Sequence, residues 1–184
     1  ASHLLVPAFC LNHIIFMIGY LILFLAIYII DRANEPLGKK YFYAFWVISV
    51  FSGIRYGIGY DYFSYYESMQ DPNYETEVIP KFFMSIGRET HYSIFYILTS
   101  CFINFFFIRG MCIRKCPFET VYFYLGYPLL FVIGLSTIRQ HMAVSVIFYL
   151  ICLHSINKTK IILLIMLAYL CHRSSLICLL LLFP

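Results

Sequence analysis

The chain has 184 residues, of which 62% are hydrophobic and 12% are charged, and its formal net charge is +4. A mean hydropathy of +0.82 excludes an ordinary soluble domain and indicates a membrane protein. The positive charge is too small and too dispersed to indicate a nucleic-acid-binding protein. Most of the seven cysteines lie inside apolar runs, which is typical of small buried side chains rather than of a disulfide framework.

Six apolar stretches are candidates for membrane-spanning helices, since about 20 apolar residues cross the hydrocarbon core. They cover residues 12–30, 41–55, 91–108, 120–136, 140–156 and 161–183. The sequence therefore predicts an all-α fold, a polytopic transmembrane helical bundle that forms a single transmembrane domain over residues 1–184. We expect it to be a fragment of a longer chain, because it lacks an initiator Met and ends inside an apolar run.

The basic residues predict which side each loop faces. They concentrate in three connecting loops, which carry Arg32, Lys39 and Lys40, then Arg109, Arg114 and Lys115, then Lys158 and Lys160. The positive-inside rule places these loops in the cytoplasm. The segment at about 56–90 is then an outer loop, and its alternation of apolar and polar residues around Phe82 and Phe83 predicts a short amphipathic helix on the outer leaflet.

The second apolar stretch leads into a polar motif punctuated by glycines, Gly53-Ile-Arg-Tyr-Gly-Ile-Gly-Tyr-Asp-Tyr-Phe-Ser-Tyr-Tyr66. The planar fork of an arginine suits phosphate or carboxylate oxygens, and glycines let the backbone approach a ligand closely. Tyrosine rings can stack on sugar faces. The candidate site residues here are Arg55, Tyr56, Gly59, Asp61 and Tyr62. The alternative is a structural ion pair between Arg55 and Asp61 that fixes the loop.

A second polar motif, Ser136-Thr-Ile-Arg-Gln-His141, lies at the predicted outer junction of the fourth and fifth stretches. Interhelical hydrogen bonding explains the polar residues that follow it along the helix, but it does not explain Arg139. Arg139 and Gln140 are therefore candidate site residues.

A third motif, Cys171-His-Arg-Ser-Ser175, interrupts the last apolar stretch. In a continuous helix from residue 161, His172 and Arg173 lie near mid-membrane, where an ionisable pair indicates a functional site. The alternative is a broken or shorter helix in which Arg173 extends to the interface.

The chemistry that these motifs favour is direct binding of an anionic, phosphorylated lipid by arginines. The sequence has no HExxH, paired CxxC, Walker or GxSxG motif, and no aspartate-rich segment to bridge a metal to a diphosphate. We therefore predict neither a metal nor a cofactor.

The three motifs, in this order and spacing, resemble those of EpsG-like proteins, a branch of the Wzy-type polysaccharide polymerases. The first motif resembles GxRYxVGxDYxxY, Ile138-Arg-Gln-His-Met-Ala143 is similar to IRQxxA, and His172-Arg-Ser-Ser175 is similar to H-[KR]-S-[SA]. The resemblance covers roughly residues 15–183. One departure is at Glu89, where an E-x-G-[FY] element is expected and the glycine is missing.

The resemblance implies a multi-pass glycosyltransferase of the bacterial inner membrane that polymerises undecaprenyl-diphosphate-linked repeat units on the outer face, as in exopolysaccharide, capsule or O-antigen synthesis. Its partners would be the lipid-linked glycan, membrane lipid and other polysaccharide assembly proteins, and not nucleic acid. A flippase or transporter of lipid-linked glycan is an alternative, although inverted repeats are not found. A non-catalytic membrane subunit is another, although it would not require the arginines.

The resemblance also implies roles for the candidate residues. The catalytic group would be Arg55, Asp61, Arg139 and His172, and the substrate-binding group Tyr56, Gly59, Tyr62, Glu89, Gln140, Arg173 and Ser174. Arginines would stabilise the charge of the departing diphosphate. Glu89, Asp61 or His172 would accept the proton of the acceptor hydroxyl. Histidine is preferred because it titrates nearest neutrality.

The predicted orientation can be tested by cysteine labelling after the native thiols have been removed. A cysteine at position 38 should react only from the cytoplasmic side, and a cysteine at position 73 only from outside, because the positive-inside rule places them so. The reverse pattern would overturn the assignment of sides.

Overall fold

The computed structural model describes residues 5–59, 61–71, 73–127, 129–153 and 157–182, with side chains from 15 to 177 in these ranges. The helices are α1 (Leu5–Arg32), α2 (Leu37–Gly53), α3 (Tyr62–Gln70), α4 (Val78–Glu89), α5 (Tyr92–Ile113), α6 (Glu119–Gly126), α7 (Val132–Ser136), α8 (Ile138–Cys152) and α9 (Lys158–Cys171), followed by a 3-10 helix (Arg173–Leu182). No strand occurs in these ranges, and the predicted all-α fold is confirmed.

Two of the helical segments, Ile15–Arg32 and Tyr92–Ile113, are long and apolar enough to cross a membrane, and α8 is a shorter apolar helix. The side chains of α1 that point away from the bundle are large and apolar, such as Leu21, Leu25 and Ile29, each about 60% exposed. An exposed apolar face of this kind is suited to lipid rather than water. These features are consistent with a helical membrane bundle.

Helix α5 lies at the centre of the bundle and packs against α2, α4 and α8, while α8 packs against α9. A helix that is apolar all round is one that is buried on several sides. A buried polar network ties the helices together: Asn104 Nδ2 donates to Ser52 Oγ at 3.2 Å, and the Tyr124 hydroxyl donates to Asn104 Oδ1 at 2.8 Å. These bonds join α5 to α2 and α6.

Two predicted spans are not continuous helices. The fourth, 120–136, is interrupted between α6 and α7. Tyr127, which precedes Pro128, has an extended backbone (φ −86°, ψ 107°), as expected because a proline disfavours helical geometry in the residue before it. Pro128 itself lies outside the described residues.

The sixth predicted span, 161–183, ends as an α-helix at Cys171. His172 is extended (φ −161°, ψ 123°), and the chain continues as the 3-10 helix. The expectation that His172 and Arg173 lie in the middle of one continuous helix is therefore wrong, and the alternative of a broken helix is correct. Residues 183–184 lie outside the described ranges.

The segment at about 56–90 contains two helices, of which only the second was expected. Helix α4 covers the residues predicted to form the amphipathic helix: it packs on α5 with Met84 and Gly87 buried, while Lys81 and Phe82 are exposed. Its place on the outer leaflet stays a prediction. Helix α3 was not expected, because its nine tyrosine-rich residues show no clear helical alternation of apolar and polar positions.

Gly53 provides a test of the packing between α2 and α5. A Cβ atom on Gly53 would lie 2.9 Å from the Ile97 Cα atom, so Gly53→Ala forces the two helices apart. We expect a loss of about 1–3 kcal/mol in the free energy of unfolding, measured in detergent. Gly38→Ala, in the first turn of the same helix, has no atom within 4 Å and should leave the stability unchanged or slightly raised. Equal stabilities of the two variants would contradict the packing.

Candidate functional site

The first and second motifs lie against each other, and Gly59 makes this contact possible. Gly59 has φ +104°, and a Cβ atom there would lie 2.6 Å from the Leu135 carbonyl oxygen. Only glycine combines this backbone conformation with so close an approach. The loop after α2 is thereby held against the junction of α7 and α8, just before Arg139.

Tyr65 makes a further link between these motifs. It lies on α3 and is 6% exposed. Its side chain lies beside the Arg139 guanidinium, at the start of α8. Tyr65 was not among the predicted site residues, although it belongs to the first motif.

The second and third motifs meet on the carboxylate of Glu77, which precedes α4 and is 9% exposed. Arg139 Nη1 donates to Glu77 Oε2 at 3.0 Å, and His172 Nδ1 lies 3.1 Å from Glu77 Oε1. The Thr76 hydroxyl also donates to Glu77 Oε2 at 3.0 Å. One partly buried carboxylate thus connects the start of α4, α8 and the end of α9.

Two recesses lie on either side of the contact between Glu77 and His172. One, of about 230 Å³, is polar and is lined by Glu75, Thr76, Glu77, Arg139 and Arg173. The other, of about 590 Å³, is lined by Gln140, His172, Ser174 and Ser175 and by apolar side chains of α8. Chain neighbours separate between the two recesses. Arg139 and Arg173 line the polar one, whereas Gln140 and His172 line the larger one. The arrangement offers a charged pocket beside an apolar groove.

The charge of Glu77 is set by its neighbours. Burial of the carboxyl group favours its neutral form, but hydrogen bonds from its own backbone N–H, from the Thr76 hydroxyl and from Arg139 outweigh this and lower the pKa of Glu77 to about 2. Glu77 is therefore a carboxylate at neutral pH, and its negative charge partly neutralises Arg139. Arg173 has no ion pair with any described residue.

Arg55 is not part of this pocket. It is 9% exposed, its guanidinium lies 5.5 Å from the centre of the Tyr96 ring, and it lines a separate internal cavity. It forms no ion pair with Asp61, both residues being described, so the alternative of a structural Arg55–Asp61 pair is not observed. Asp61 instead precedes α3, where its backbone carbonyl accepts from the Tyr65 N–H.

The remaining candidates from the first motif lie on the aromatic surface beside α3. Tyr56 is 62% exposed and lines a recess of about 150 Å³ with Tyr62 and Tyr92. Tyr62 also stacks on Tyr96 at 4.5 Å between ring centres. Glu89 is exposed at the far end of α4, about 17 Å along the helix from the residue after Glu77. The structure does not bring Glu89 to the pocket.

Glu77 and Thr76 are site residues that the sequence did not identify. The sequence did contain a signal for an acidic partner. In a chain with few charges, Arg139 and Arg173 are not required by membrane topology, and the predicted outer loop contains carboxylates that could pair with them. Charge balance alone does not say which of several outer carboxylates pairs with them.

A comparison with protein families shows to which family the chain belongs. The family model described as "EpsG family" matches residues 39–183, which include all three motifs. The chain belongs to the EpsG family. No curated protein and no solved structure matches it. As an EpsG family member, it is a membrane protein associated with polysaccharide biosynthesis.

The hydrogen bonds to Glu77 predict a pH-dependent contribution to stability. Because the pKa of Glu77 falls from its ordinary value of 4.5 to about 2, the stabilisation is fully present above pH 4.5 and is lost as the pH falls towards 2. The difference in thermal midpoint between the unsubstituted protein and Glu77→Gln should therefore be largest near neutrality and shrink over that interval.

Glu89→Gln is the matched control, because Glu89 is exposed at the other end of α4. It should differ little from the unsubstituted protein at every pH. If the difference in thermal midpoint between Glu77→Gln and the unsubstituted protein stays constant down to pH 2, the substitution destabilises the protein through packing and not through the lost charge.

Proposed function

We propose that this EpsG family protein is a glycosyltransferase that polymerises undecaprenyl-diphosphate-linked oligosaccharide repeat units on the outer face of the bacterial inner membrane. The observation that carries the proposal is the meeting of Arg139 and His172, from separate motifs, on the Glu77 carboxylate. The proposal assigns an anion-binding group and a proton acceptor to two neighbouring recesses, and glycosyl transfer from a diphosphate needs both.

The reaction forms one bond and breaks one. The acceptor hydroxyl oxygen of the next repeat unit attacks the anomeric carbon of the growing glycan. The bond from that carbon to the phosphate oxygen breaks, and undecaprenyl diphosphate leaves with the electron pair. The hydroxyl proton passes to a base. The protein must therefore stabilise negative charge on the leaving group and accept a proton at the acceptor.

His172 is proposed as the base. Its Nδ1 faces the Glu77 carboxylate, which accepts a hydrogen bond and so favours the tautomer with the proton on Nδ1. Nε2 is then the proton acceptor. Because His172 also lines the groove with Gln140 and Ser174, an acceptor sugar bound there would be near this nitrogen.

Arg173 and Arg139 are proposed to bind the diphosphate. Both line the polar pocket beside His172. Arg173 has no ion pair with a described residue, whereas Arg139 is paired with Glu77 and its side chain is still 32% exposed. The planar forks of two arginines match phosphate oxygens better than ammonium groups do.

The apolar groove completes the proposed substrate site. Its long wall is formed by Val144, Ile147 and Ile151 along α8, beside the polar groups at the start of that helix. A lipid-linked sugar has the same division into an anionic head and an apolar chain. This correspondence supports a lipid-linked glycan as the substrate class and a multi-pass location in the membrane.

Reconstitution with lipid-linked repeat units tests the proposal. The unsubstituted full-length protein should produce a ladder of polymers in proteoliposomes. His172→Ala should reduce the rate of polymer formation about 10²–10⁴-fold at unchanged protein level, because it removes the base. Arg173→Lys should also lose most activity, because an ammonium group cannot reproduce the fork.

Arg109→Lys is the matched control, the same chemical change at an exposed position near the end of α5 that is predicted to face the cytoplasm. It should retain normal ladders. Translocation of lipid-linked repeats without lengthening would instead indicate a flippase, and the absence of both activities would indicate a non-catalytic subunit. Either result would contradict the proposal.

A further inference from the structure

A second polar site lies inside the bundle, apart from the Glu77 pocket. It is a cavity of about 20 Å³, which corresponds to room for roughly one water-sized particle. Helices α2, α5, α7 and α8 enclose it together with Tyr124 of α6. Its polar lining consists of side chains from α2, α5, α6 and the loop after α2: Ser52, Arg55, Thr99, Ser100, Asn104 and Tyr124.

Arg55 is the only ionisable group apart from Tyr124 among the described residues that line this cavity. Its Nε atom is buried and has no hydrogen-bond partner among the described residues. One face of the guanidinium is covered by the Tyr96 ring, whose own hydroxyl donates elsewhere, to the Tyr62 carbonyl at 2.7 Å. An aromatic ring attracts a cation but accepts no full counter-charge.

The other polar side chains described around the cavity are uncharged, so they offer hydrogen-bond donors but no negatively charged acceptor for Arg55. The hydroxyl groups of Ser52 and Thr99 already donate to backbone carbonyls of their own helices. Tyr124 donates to Asn104 Oδ1, and one N–H of Asn104 donates to Ser52. The donors that remain are the second N–H of Asn104, the Ser100 hydroxyl and Arg55 Nε–H.

A cation buried among apolar helices, with no carboxylate beside it, is costly unless an anion neutralises it. Residues with unused donors line a space that holds one small particle, which is the chemistry of an anion site. We propose that the cavity binds a small monovalent anion of the size of chloride at Arg55. A phosphate group is too large for the space, so this site is distinct from the proposed diphosphate pocket.

A single water molecule is the competing occupant. It would accept hydrogen bonds from the same donors but would bring no charge, so the two occupants differ in their dependence on anions. Binding of an ion to the folded state alone raises stability in proportion to the logarithm of its concentration above the dissociation constant, whereas water gives no such dependence.

The test measures the thermal midpoint of the purified full chain as sodium gluconate is replaced by sodium chloride at constant ionic strength. We expect a rise on the order of 3 °C for each tenfold increase in chloride above the dissociation constant, with bromide equally effective. Arg55→Gln should abolish the dependence. Arg109→Gln, which removes a charge from an exposed position, should retain it.

A second measurement keeps the proposal testable if Arg55→Gln does not fold. Diffraction from crystals of the unsubstituted protein grown in bromide, measured at the bromine absorption edge, should show an anomalous peak beside Arg55 Nε. No anion dependence, a dependence that persists in Arg55→Gln, or bromide found only at Arg139 and Arg173 would each overturn it. None of these results depends on polymerase activity, so the two proposals fail separately.

Discussion

The contact of one partly buried carboxylate, that of Glu77, with Arg139 and His172 is the constraint on which the predicted outer end of the bundle depends. Glu77 is 9% exposed and binds Arg139 and His172 through different oxygens. Removing one partner leaves the other charge partly buried and unpaired, so these contacts favour holding together the three segments that carry these residues. The same contact orients the His172 ring and limits how far Arg139 can move.

Irregular backbone in two places brings the residues around Glu77 together. At the end of α9, the helix stops at Cys171 and His172 becomes extended, which lets its ring reach an outer loop that a continuous helix would carry it past. After α2, Gly59 adopts φ +104° and lies against Leu135, so that the following helix presents Tyr65 to Arg139. Local departures from regular helix therefore create the site, as is common where function requires strained or irregular backbone.

The sequence predicted the parts of the structure that follow from its composition, from its apolar runs and from the order of its motifs. The apolar runs gave the helical bundle, and the order of three motifs identified the family to which the chain belongs. It left the break at His172 as an alternative to a continuous helix, because the apolar residues on both sides of the polar motif 171–175 are as typical of one helix as of two segments. The resemblance implied one catalytic group that includes Arg55 and Arg139, whereas the structure buries Arg55 against Tyr96 and sets Glu77 beside Arg139. Which carboxylate meets which arginine depends on tertiary packing that a single sequence does not encode visibly.

The central claim is that Glu77 and Arg139 act as one unit, and a double-mutant cycle tests it most directly. The free energies of unfolding of Glu77→Gln, Arg139→Gln and the double variant would be compared with that of the unsubstituted protein at neutral pH. The account predicts that the double variant loses less than the sum of the single losses, by about 0.5–3 kcal/mol, as is usual for residues in direct contact. Additive losses within about 0.3–0.5 kcal/mol would show that the two residues do not interact, and would contradict the account.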